Sequence, residues 1–511
     1  MIITAFAWLA AMYGAQAQQS DAGYVRRPAS LEQMLLNKRS TEIHANVQPA
    51  AGIEPGLIQL SDSAIKARNT SVTFGIRPLA WLAAGATLSP KTDGMGQVIS
   101  GIEATWHVRK HWEGSVGYTI SGMRPPAYIR LFADSTNILP GAGFATRSGN
   151  DFYTSHFTYG HVGYTAKKFF HFELGKRKHF WGDGYRSLIL SDVANAFPYI
   201  RITTKFWRVK YTNLWAQMRQ TNEAYQPKDA RIKYTAMHAL SWNVSKTLNW
   251  SIYEMVVWQD RDTNSKRSLD INYLNPIIFY RPVEYAQGSP DNVILGTSLR
   301  YSPSEKVQLY GQMVIDEFYL SKWRNNSRWW ANKMGAQLGI KTFDLFTKGF
   351  HLQTEINCVR PFTYTHGSPL QSWTHMQQPL AHPMGANFVE WLLYLRYEND
   401  DWNISEQFSW AAYGHDRDED GDGTLDNLGG DIFRSYHNPF RQYDNDLLQG
   451  IKSTFHFHQF TLSRKMGVHK QWEIFAQHTM RFEKNEIQTT LDHFATIGLR
   501  LNGMLQPQQD F

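Results

Sequence analysis

A run of four basic residues lies just before a tryptophan in the first half of the chain. Lys176–His179 supplies cationic donors that suit the carboxylates or phosphates of an acidic glycan, and the indole of Trp181 suits the face of a sugar ring. Gly182 and Gly184 allow the backbone to turn tightly beside them. The pattern predicts a loop that binds an acidic polysaccharide, although a solvated loop or a contact with lipid phosphates would carry the same residues. The predicted contact residues are Lys176, Arg177, Lys178, His179, Trp181, Asp183, Tyr185 and Arg186.

Two further charged residues, Arg281 and Glu284, are candidates for the same site. They lie three positions apart in a long predicted loop. We favour an ion pair between them across the mouth of the fold, and direct contact with a ligand is the alternative.

An acidic stretch nearer the C-terminus has the spacing of a calcium loop. Residues Asp418–Asp426 match the pattern D-x-D-x-D-G, in which carboxylates converge because Gly423 allows a sharp turn. Gly429 stands where a helix-loop-helix site has a bidentate Glu, so Asp431 or Asp416 would have to replace that ligand. An acidic surface loop without an ion is the alternative to Ca²⁺. The predicted ligands are Asp418, Asp420, Asp422, Thr424 and Asp426.

Catalysis has little support in the sequence. No G-x-S-x-G elbow, P-loop or zinc-binding pattern is present. Asp183, Glu284 and Asp291 could form a glycosidase pair, but structural charges in a polar lumen are the favoured interpretation. We therefore expect no enzymatic activity, and no nucleic-acid partner.

The elements that must position these residues are strands, because apolar and polar residues alternate along them with period two. In Val307–Asp316, apolar and polar residues alternate over about ten positions, the length that a tilted strand needs to cross hydrocarbon. Strands of β-sandwiches are shorter, and no fixed repeat indicates a solenoid. The 511 residues contain 18 Trp and 14% aromatics, yet the mean hydropathy is −0.45. A barrel explains both the high aromatic content and the polar average, because its apolar residues face lipid and its polar residues face the lumen.

The expected fold is all-β: a transmembrane antiparallel β-barrel of about 18 strands with a small N-terminal periplasmic helical segment. Short turns alternate with long loops near 124–153, 261–292, 361–385 and 415–447. An even strand count and a periplasmic C-terminus predict that the long loops lie outside the cell or fold into the mouth of the barrel. The predicted strands are 71–84, 97–107, 112–123, 154–166, 167–176, 198–205, 207–218, 231–243, 247–259, 293–301, 306–318, 331–342, 348–360, 386–397, 401–414, 449–463, 472–484 and 490–503.

The N-terminus is predicted to be a targeting segment. Residues 1–17 combine an apolar run with Ala15-Gln16-Ala17, which suits cleavage before Gln18, whereas a buried N-terminal helix is the alternative. Residues 18–70 are expected to form a periplasmic or plug segment with a helix start at Ser30, or else a flexible leader. Residues 71–511 form the predicted barrel. The lone Cys358 excludes an internal disulfide and is expected on the apolar face.

Three blocks of sequence carry a resemblance to a known family. They are residues 175–192 (GKRKHFWGDGYRSLILSD), residues 275–292 (NPIIFYRPVEY followed by GSPDN) and residues 378–388 (QPLAHPMGANF). Together they resemble Wzi-type capsule-assembly outer-membrane proteins, in a version similar to those of Bacteroidetes that include a RemB-like gliding-motility branch. The resemblance implies an eighteen-stranded barrel with a small periplasmic helical part. It also implies a lectin-like role in holding capsular polysaccharide on the cell surface.

Three function classes follow from these observations. The first is a barrel that binds and anchors capsular or exopolysaccharide. The second is a component of a gliding-motility or secretion-associated complex with other outer-membrane subunits, and the third is a diffusion porin. The net charge of +7 fits an anionic partner, but the phosphates of lipopolysaccharide would explain it equally well. Long loops rich in aromatic residues argue against an open pore.

Overall fold

A computed structural model describes residues 47–49, 72–89, 92–149, 151–221, 230–261, 267–277, 291–467 and 470–501. The predicted signal peptide, all of residues 18–70 except 47–49, and both Arg281 and Glu284 lie outside the described residues.

Eighteen antiparallel strands form a closed barrel, as the sequence predicts. Each strand pairs with the next along the chain, and the last pairs with the first through Ala80 and Leu501. The strands are β1 Val72–Ser89, β2 Asp93–Val108, β3 Trp112–Arg124, β4 Phe152–Ala166, β5 Phe170–Arg177, β6 Phe197–Phe206, β7 Val209–Gln220, β8 Arg231–Asn243, β9 Leu248–Gln259, β10 Asn292–Tyr301, β11 Val307–Glu317, β12 Lys333–Phe343, β13 Phe350–Val359, β14 Phe388–Glu398, β15 Trp402–His415, β16 Ile451–Met466, β17 Trp472–Lys484 and β18 Thr489–Leu501.

The two faces of each strand are reversed relative to a water-soluble sheet. In β11, Gln308, Tyr310 and Gln312 are buried toward the lumen, whereas Leu309 and Met313 are exposed on the outside of the wall. Apolar side chains on the outside are stable only against hydrocarbon, because water would penalise that exposed surface. The alternation therefore produces the lipid-facing band of a membrane barrel.

The two ends of the barrel differ. At the turn end, short connections such as residues 399–401 link the strands. At the loop end, residues 125–151, 178–196, 360–387 and 416–450 form long connections, three of which match predicted loops; the predicted loop at 261–292 is described only in part. The loops contain the helices Ala127–Thr136 and Leu320–Arg324, the 3-10 turns Ile271–Leu274 and Pro369–Gln371, and the short strands Ile138–Leu139, Gly143–Ser148, His179–Trp181, Thr374–His375 and Gln378–Pro379. One more short strand, Val47–Pro49, precedes the barrel.

Within the described ranges, no helix is long and apolar enough to cross a membrane.

The connection of residues 178–196 folds into the lumen, and we call it the plug loop. Trp181 and the apolar run Leu188–Leu190 pack against inward residues of the wall, including Tyr253, whose ring centroid lies 5.9 Å from that of Trp181. Val47–Pro49 pairs with His179–Trp181 as a short antiparallel ladder. The plug loop thus builds an apolar core inside a barrel whose other inward positions are mostly polar.

A second connection lies on the outside of the wall. The segment Arg267–Ile277, which we call the flap, covers outward residues of β7, β9 and β10. The indole N–H of Trp215 donates to the carbonyl of Tyr273 at 2.7 Å, and that of Trp258 donates to the carbonyl of Ser268 at 2.9 Å. Arg267 anchors the flap through two contacts with Asp291, at 2.7 and 2.8 Å. The outer face of β7, β9 and β10 is therefore covered by the flap at this position.

The architecture predicts heat-modifiable behaviour. Detergent-solubilised protein should give a circular dichroism spectrum dominated by β-structure, because strands supply most of the described residues. Unboiled and boiled samples should migrate differently on gels, because a closed barrel has no free edge from which unfolding can begin. A spectrum dominated by helix would contradict the barrel.

Burial of Trp181 predicts a loss of stability on truncation. Trp181 is 1% exposed, so Trp181→Ala should lower the free energy of unfolding by about 3–5 kcal/mol because it leaves a cavity in the plug core. Denaturant titration in detergent measures this change. Trp323→Ala is the matched control, because Trp323 is half-exposed on an outer loop and its loss should change stability by only about 0.5 kcal/mol. Equal effects of the two substitutions would refute the packing role of Trp181.

Candidate functional site

The basic run predicted to contact polysaccharide lies inside the barrel, and this corrects the expectation of a surface loop. Arg177, Lys178, His179 and Trp181 are all buried. The reason is that the apolar residues that follow in the plug loop find a matching apolar surface only on the inner wall, and they bring the basic run with them. Lys176 alone points outward at the end of β5, where its Nζ lies 3.4 Å from Thr158 Oγ1.

The buried cations interact with protein groups. Arg177 Nη1 lies 2.9 Å from His161 Nδ1, and Lys178 Nζ donates to the carbonyl of Asp192 at 3.0 Å. Burial lowers the pKa of Lys178 to about 8, and the charge of Asp192 acts in the opposite direction. The ring of His179 packs against Tyr199 with a centroid distance of 4.3 Å. In this arrangement the run holds the plug loop in place.

Arg186 is also part of the interior. Its guanidinium forms an ion pair with Glu390 at 3.1 Å, and the two side chains are 2% and 1% exposed. Glu390 also accepts from Ser409 Oγ at 2.8 Å and lies 2.7 Å from His382 Nε2. Burial lowers the pKa of His382, which keeps the imidazole neutral near pH 7, so its contact with Glu390 is a hydrogen bond. A buried ion pair with this many partners fixes one position for the loop.

Glu355 holds the neighbouring backbone. The amide N–H groups of Tyr185 and Arg186 donate to its two carboxylate oxygens at 2.7 and 2.9 Å. Tyr310 donates its hydroxyl to the same carboxylate at 2.8 Å. Asp183, at the tip of the loop, pairs with Arg300 at 3.2 Å.

Five consecutive strands therefore each contribute one side chain to the plug loop, and we call this set the polar cradle. Gln312 accepts from the amide of Leu188 at 2.6 Å, Gln337 donates to the carbonyl of Arg186 at 3.0 Å, and Gln407 accepts from the hydroxyl of Tyr185 at 2.5 Å. The members of the cradle are Gln312 on β11, Gln337 on β12, Glu355 on β13, Glu390 on β14 and Gln407 on β15. Sequence reasoning missed this set, although each member occupies a polar position in an alternating strand.

The acidic loop brings together three of its five predicted ligands. Oxygen atoms of Asp418, Asp420 and Asp426 lie within 4.8 Å of one another. Asp422 is not in this group, and it accepts from the amide and hydroxyl of Thr424 at 2.7 and 2.6 Å. The converging carboxylates also accept from local amides, as Asp418 does from the amide of Gly421 at 2.6 Å. A cluster made only of carboxylate oxygens fits Ca²⁺, which prefers hard oxygen ligands.

The glycines of the acidic loop and the two candidate replacement ligands, Asp416 and Asp431, can each be located. Gly421 and Gly423 have φ values of +78° and +87°, the left-handed conformation that the tight turn requires. Asp416 pairs with Arg434, and Asp431 accepts from the amide of Phe433 at 2.8 Å. Neither carboxylate belongs to the group of converging oxygens.

A group of cations and aromatic rings at the loop end was not predicted, and we call it the rim cluster. Lys322 Nζ lies 5.0 Å from the ring centroids of both Trp329 and Tyr443, and it donates to the hydroxyl of Tyr443 at 2.9 Å. Trp323 beside it is 52% exposed. Lys322 and Tyr443 are 121 positions apart in sequence, so only the fold shows their contact. The local signal was the aromatic and basic composition of residues 318–330.

No protein-family model and no curated protein matches the sequence. The fold is similar to that of Wzi from Escherichia coli, an outer-membrane protein involved in group 1 capsule assembly and a carbohydrate-binding β-barrel. The TM-score is 0.52 at 12% identity, covering 84% of this chain and 85% of that one. OprD of Pseudomonas aeruginosa has a TM-score of 0.41 at 9% identity, covering 84% of this chain and 94% of that one. OccAB2 of Acinetobacter baumannii has a TM-score of 0.44 at 8% identity, covering 84% and 97%.

The identity to Wzi is low, so the similarity establishes the fold alone, and the two weaker matches add no further argument. The closed wall of eighteen strands and its apolar outer face place the chain in the outer membrane.

Proposed function

We propose that this barrel binds and anchors an acidic polysaccharide at the cell surface, without catalysis. The observation that carries the proposal is the rim cluster, in which Lys322 contacts two aromatic rings and the next residue of the same short helix, Trp323, is half-exposed. Its position at the loop end, the net charge of +7 and the fold shared with a carbohydrate-binding barrel support the same function.

The chemistry of the rim cluster suits a charged sugar chain. The face of Trp323 offers an apolar platform for the C–H groups of a sugar ring. Lys322, and Arg324 in the same short helix, supply positive charge for carboxylate or phosphate groups. Because Lys322 is already ordered by its ring contacts, binding would lose less side-chain entropy there than at a solvated lysine.

In this proposal the loop Lys176–Arg186 contributes indirectly. The plug loop fills the upper lumen and supports the connections above it: Tyr364 donates its hydroxyl to the carbonyl of Leu188 at 2.8 Å, and Trp373 donates to the carbonyl of Ile189 at 2.7 Å. Direct contact of its basic residues with polysaccharide would require the buried run to leave the lumen.

Substitutions in the rim cluster should separate stacking from charge. Trp323→Ala should weaken polysaccharide binding roughly 2- to 13-fold at every salt concentration, because it removes a stacking contact of about 0.5–1.5 kcal/mol. Lys322→Gln should weaken binding at low salt and flatten the salt dependence, because charge attraction is screened within about 10 Å at 0.1 M salt. Binding of the purified chain to isolated acidic polysaccharide measures both effects.

The control for these variants is a matching pair at the opposite end of the barrel. Arg464 lies 5.2 Å from the ring centroid of Trp402 at the turn end, so Trp402→Ala and Arg464→Gln should leave binding unchanged. In cells, the rim variants should shed polysaccharide into the medium while total synthesis stays constant. If the rim variants fold and retain as much surface polysaccharide as wild type, the rim cluster is not the binding site.

Removal of the whole protein tests the function itself. If the deletion strain retains all of its surface polysaccharide, the anchoring function is wrong. If that strain also loses surface movement, the gliding alternative is favoured. Steady conductance of the purified chain in a planar bilayer would favour the porin alternative.

We also propose that the acidic loop binds Ca²⁺ through Asp418, Asp420 and Asp426, with Asp422 and Thr424 joining once the ion is present. Asp418→Asn combined with Asp420→Asn should abolish calcium uptake without unfolding the barrel, because both residues lie in a connection outside the strands. Calorimetry should give an affinity for wild type of about 0.1–1 mM, the range of extracellular modules.

Asp444→Asn combined with Asp446→Asn is the matched control for calcium, since Arg328 pairs with both of these outer-loop carboxylates. Calcium uptake by this variant should match wild type. Identical uptake by wild type and the Asp418/Asp420 variant would show that the ion binds elsewhere.

A further inference from the structure

Four consecutive connections at the turn end contain cations and no acids. They join β2 to β3, β4 to β5, β6 to β7 and β8 to β9, and so span eight of the eighteen strands. No Asp or Glu occurs in these turns and the strand ends beside them, at residues 109–111, 167–169, 205–208 and 244–247. All of their cations are exposed or partly exposed, and we call this set the basic half-ring. Its members are Arg109, Lys110, Lys167, Lys168, Lys205, Arg208 and Lys246.

The rest of the turn end has mixed charge. The next three connections around the wall each contain an acid, which is Glu305, Asp344 or Asp400. In the connection after those, Lys470 pairs with Asp401 at 3.1 Å. Positive charge at the turn end is therefore concentrated on one side of the barrel.

Two carboxylates follow the basic half-ring closely in sequence, but they face the lumen. Glu113 lies two positions after the first of the four turns, and Glu173 lies four positions after the second. Both carboxylates are on the inward side of their strands, where they lie 3.7 and 3.5 Å from His171 Nε2. The acids nearest in sequence are therefore engaged inside the barrel.

Aromatic side chains on the outer face of the wall show where the basic half-ring lies relative to the membrane. Trp112, Tyr164, Phe170, Phe206 and Trp250 are exposed on this face, each within a few positions of one of the four turns. Trp112 and Tyr164 pack together across β3 and β4, with ring centroids 4.7 Å apart. Bacterial barrels have such a girdle of aromatic residues at the boundary between hydrocarbon and headgroups. The cations lie beyond this girdle, and therefore at the depth of the headgroups.

Contacts between neighbouring turns join the basic half-ring into one surface. The rings of Phe169 and Phe206 have centroids 6.5 Å apart, which links the second turn to the third. Arg208 Nη1 donates to the carbonyl of Val244 at 3.2 Å, which links the third turn to the fourth. Lys168 Nζ lies 5.3 Å from the ring centroid of Phe169. Cations and aromatic rings therefore alternate along a surface that is continuous over three of the turns.

We propose that the basic half-ring binds the phosphate groups of anionic phospholipids in the periplasmic leaflet of the outer membrane. The short turns of bacterial barrels lie on the periplasmic side. Lysine and arginine side chains near an anionic lipid surface attract it within about one Debye length, roughly 10 Å at 0.1 M salt. This binding is separate from the proposed contact with polysaccharide, which lies at the loop end.

The position of the cations favours a lipid over a soluble acidic partner. A phospholipid can place its phosphate on a lysine of the half-ring while its acyl chains contact the outer face of the same strands. Phe172, Leu174 and Ile200 are exposed on that face and supply the apolar contact. A soluble acidic protein or polysaccharide would meet the cations alone, without the hydrophobic contribution.

Native mass spectrometry of the full chain, purified in detergent and titrated with lipid, tests the proposal. Phosphatidylglycerol is the anionic probe, and phosphatidylethanolamine with the same acyl chains is the zwitterionic reference. Wild type should bind phosphatidylglycerol more tightly. Lys110→Gln combined with Lys168→Gln and Lys246→Gln should lower its affinity for phosphatidylglycerol roughly 5-fold, the effect of losing about one cation per lipid, and leave that for phosphatidylethanolamine unchanged. The preference should also shrink as ionic strength rises, because exposed charges are screened.

A matched variant removes the same charge from the other side of the turn end. Lys306→Gln combined with Lys348→Gln and Lys470→Gln replaces three exposed lysines, and it should keep the wild-type preference for phosphatidylglycerol. Both variants should show the heat-modifiable gel shift of the folded barrel, because all six substitutions lie in exposed turns.

Three results would overturn the proposal. The first is equal affinity of wild type for the two lipids, and the second is equal loss of phosphatidylglycerol binding in the two triple variants. The third is weaker binding of isolated acidic polysaccharide by the Lys110/Lys168/Lys246 variant with its lipid preference intact, which would assign the basic half-ring to polysaccharide.

Discussion

Two buried carboxylates determine how the interior of this barrel is organised. Glu355 and Glu390 lie on neighbouring strands and face the lumen, where an uncompensated charge would be strongly unfavourable. The plug loop supplies what they need: two backbone N–H groups for Glu355 and the guanidinium of Arg186 for Glu390. The loop in turn would leave its own amides and its arginine without partners if it moved away. Wall and loop are therefore stable only together, and removing one partner of such a pair typically costs about 3–5 kcal/mol.

This mutual dependence explains why a loop rich in cations is not a surface feature. Arg177 and Lys178 of the basic run are hydrogen-bonded inside the barrel, and the apolar run Leu188–Leu190 adds hydrophobic burial against the inner wall. In the proposed function, the connections that lie above the plug supply the contact with polysaccharide. The rim cluster is built in such connections, from residues 318–332 and 416–450. The plug loop thus occupies the lumen, and the other connections remain at the rim above it.

The strands could be predicted because their signal is local. Period-two alternation is set by neighbours along the chain, and all eighteen predicted strands are found within a few residues of their expected bounds. Contacts between loops were not predictable in the same way. Arg186 and Glu390 are 204 positions apart, so nothing near the basic run indicated that it would be buried. The acidic loop is an intermediate case, since its spacing is local and three of its five predicted ligands converge.

The flap on the outside of the wall has a consequence for how the barrel assembles. Trp215 belongs to β7, whereas the carbonyl that it contacts belongs to Tyr273, in the connection after β9. That bond can form only after β7 and β9 have been brought together through β8. Arg267 must similarly wait for Asp291, which directly precedes β10. Docking of the flap therefore follows the pairing of β7, β8 and β9, and protection of the Trp215 indole proton from exchange with solvent would report the completion of that flank of the wall.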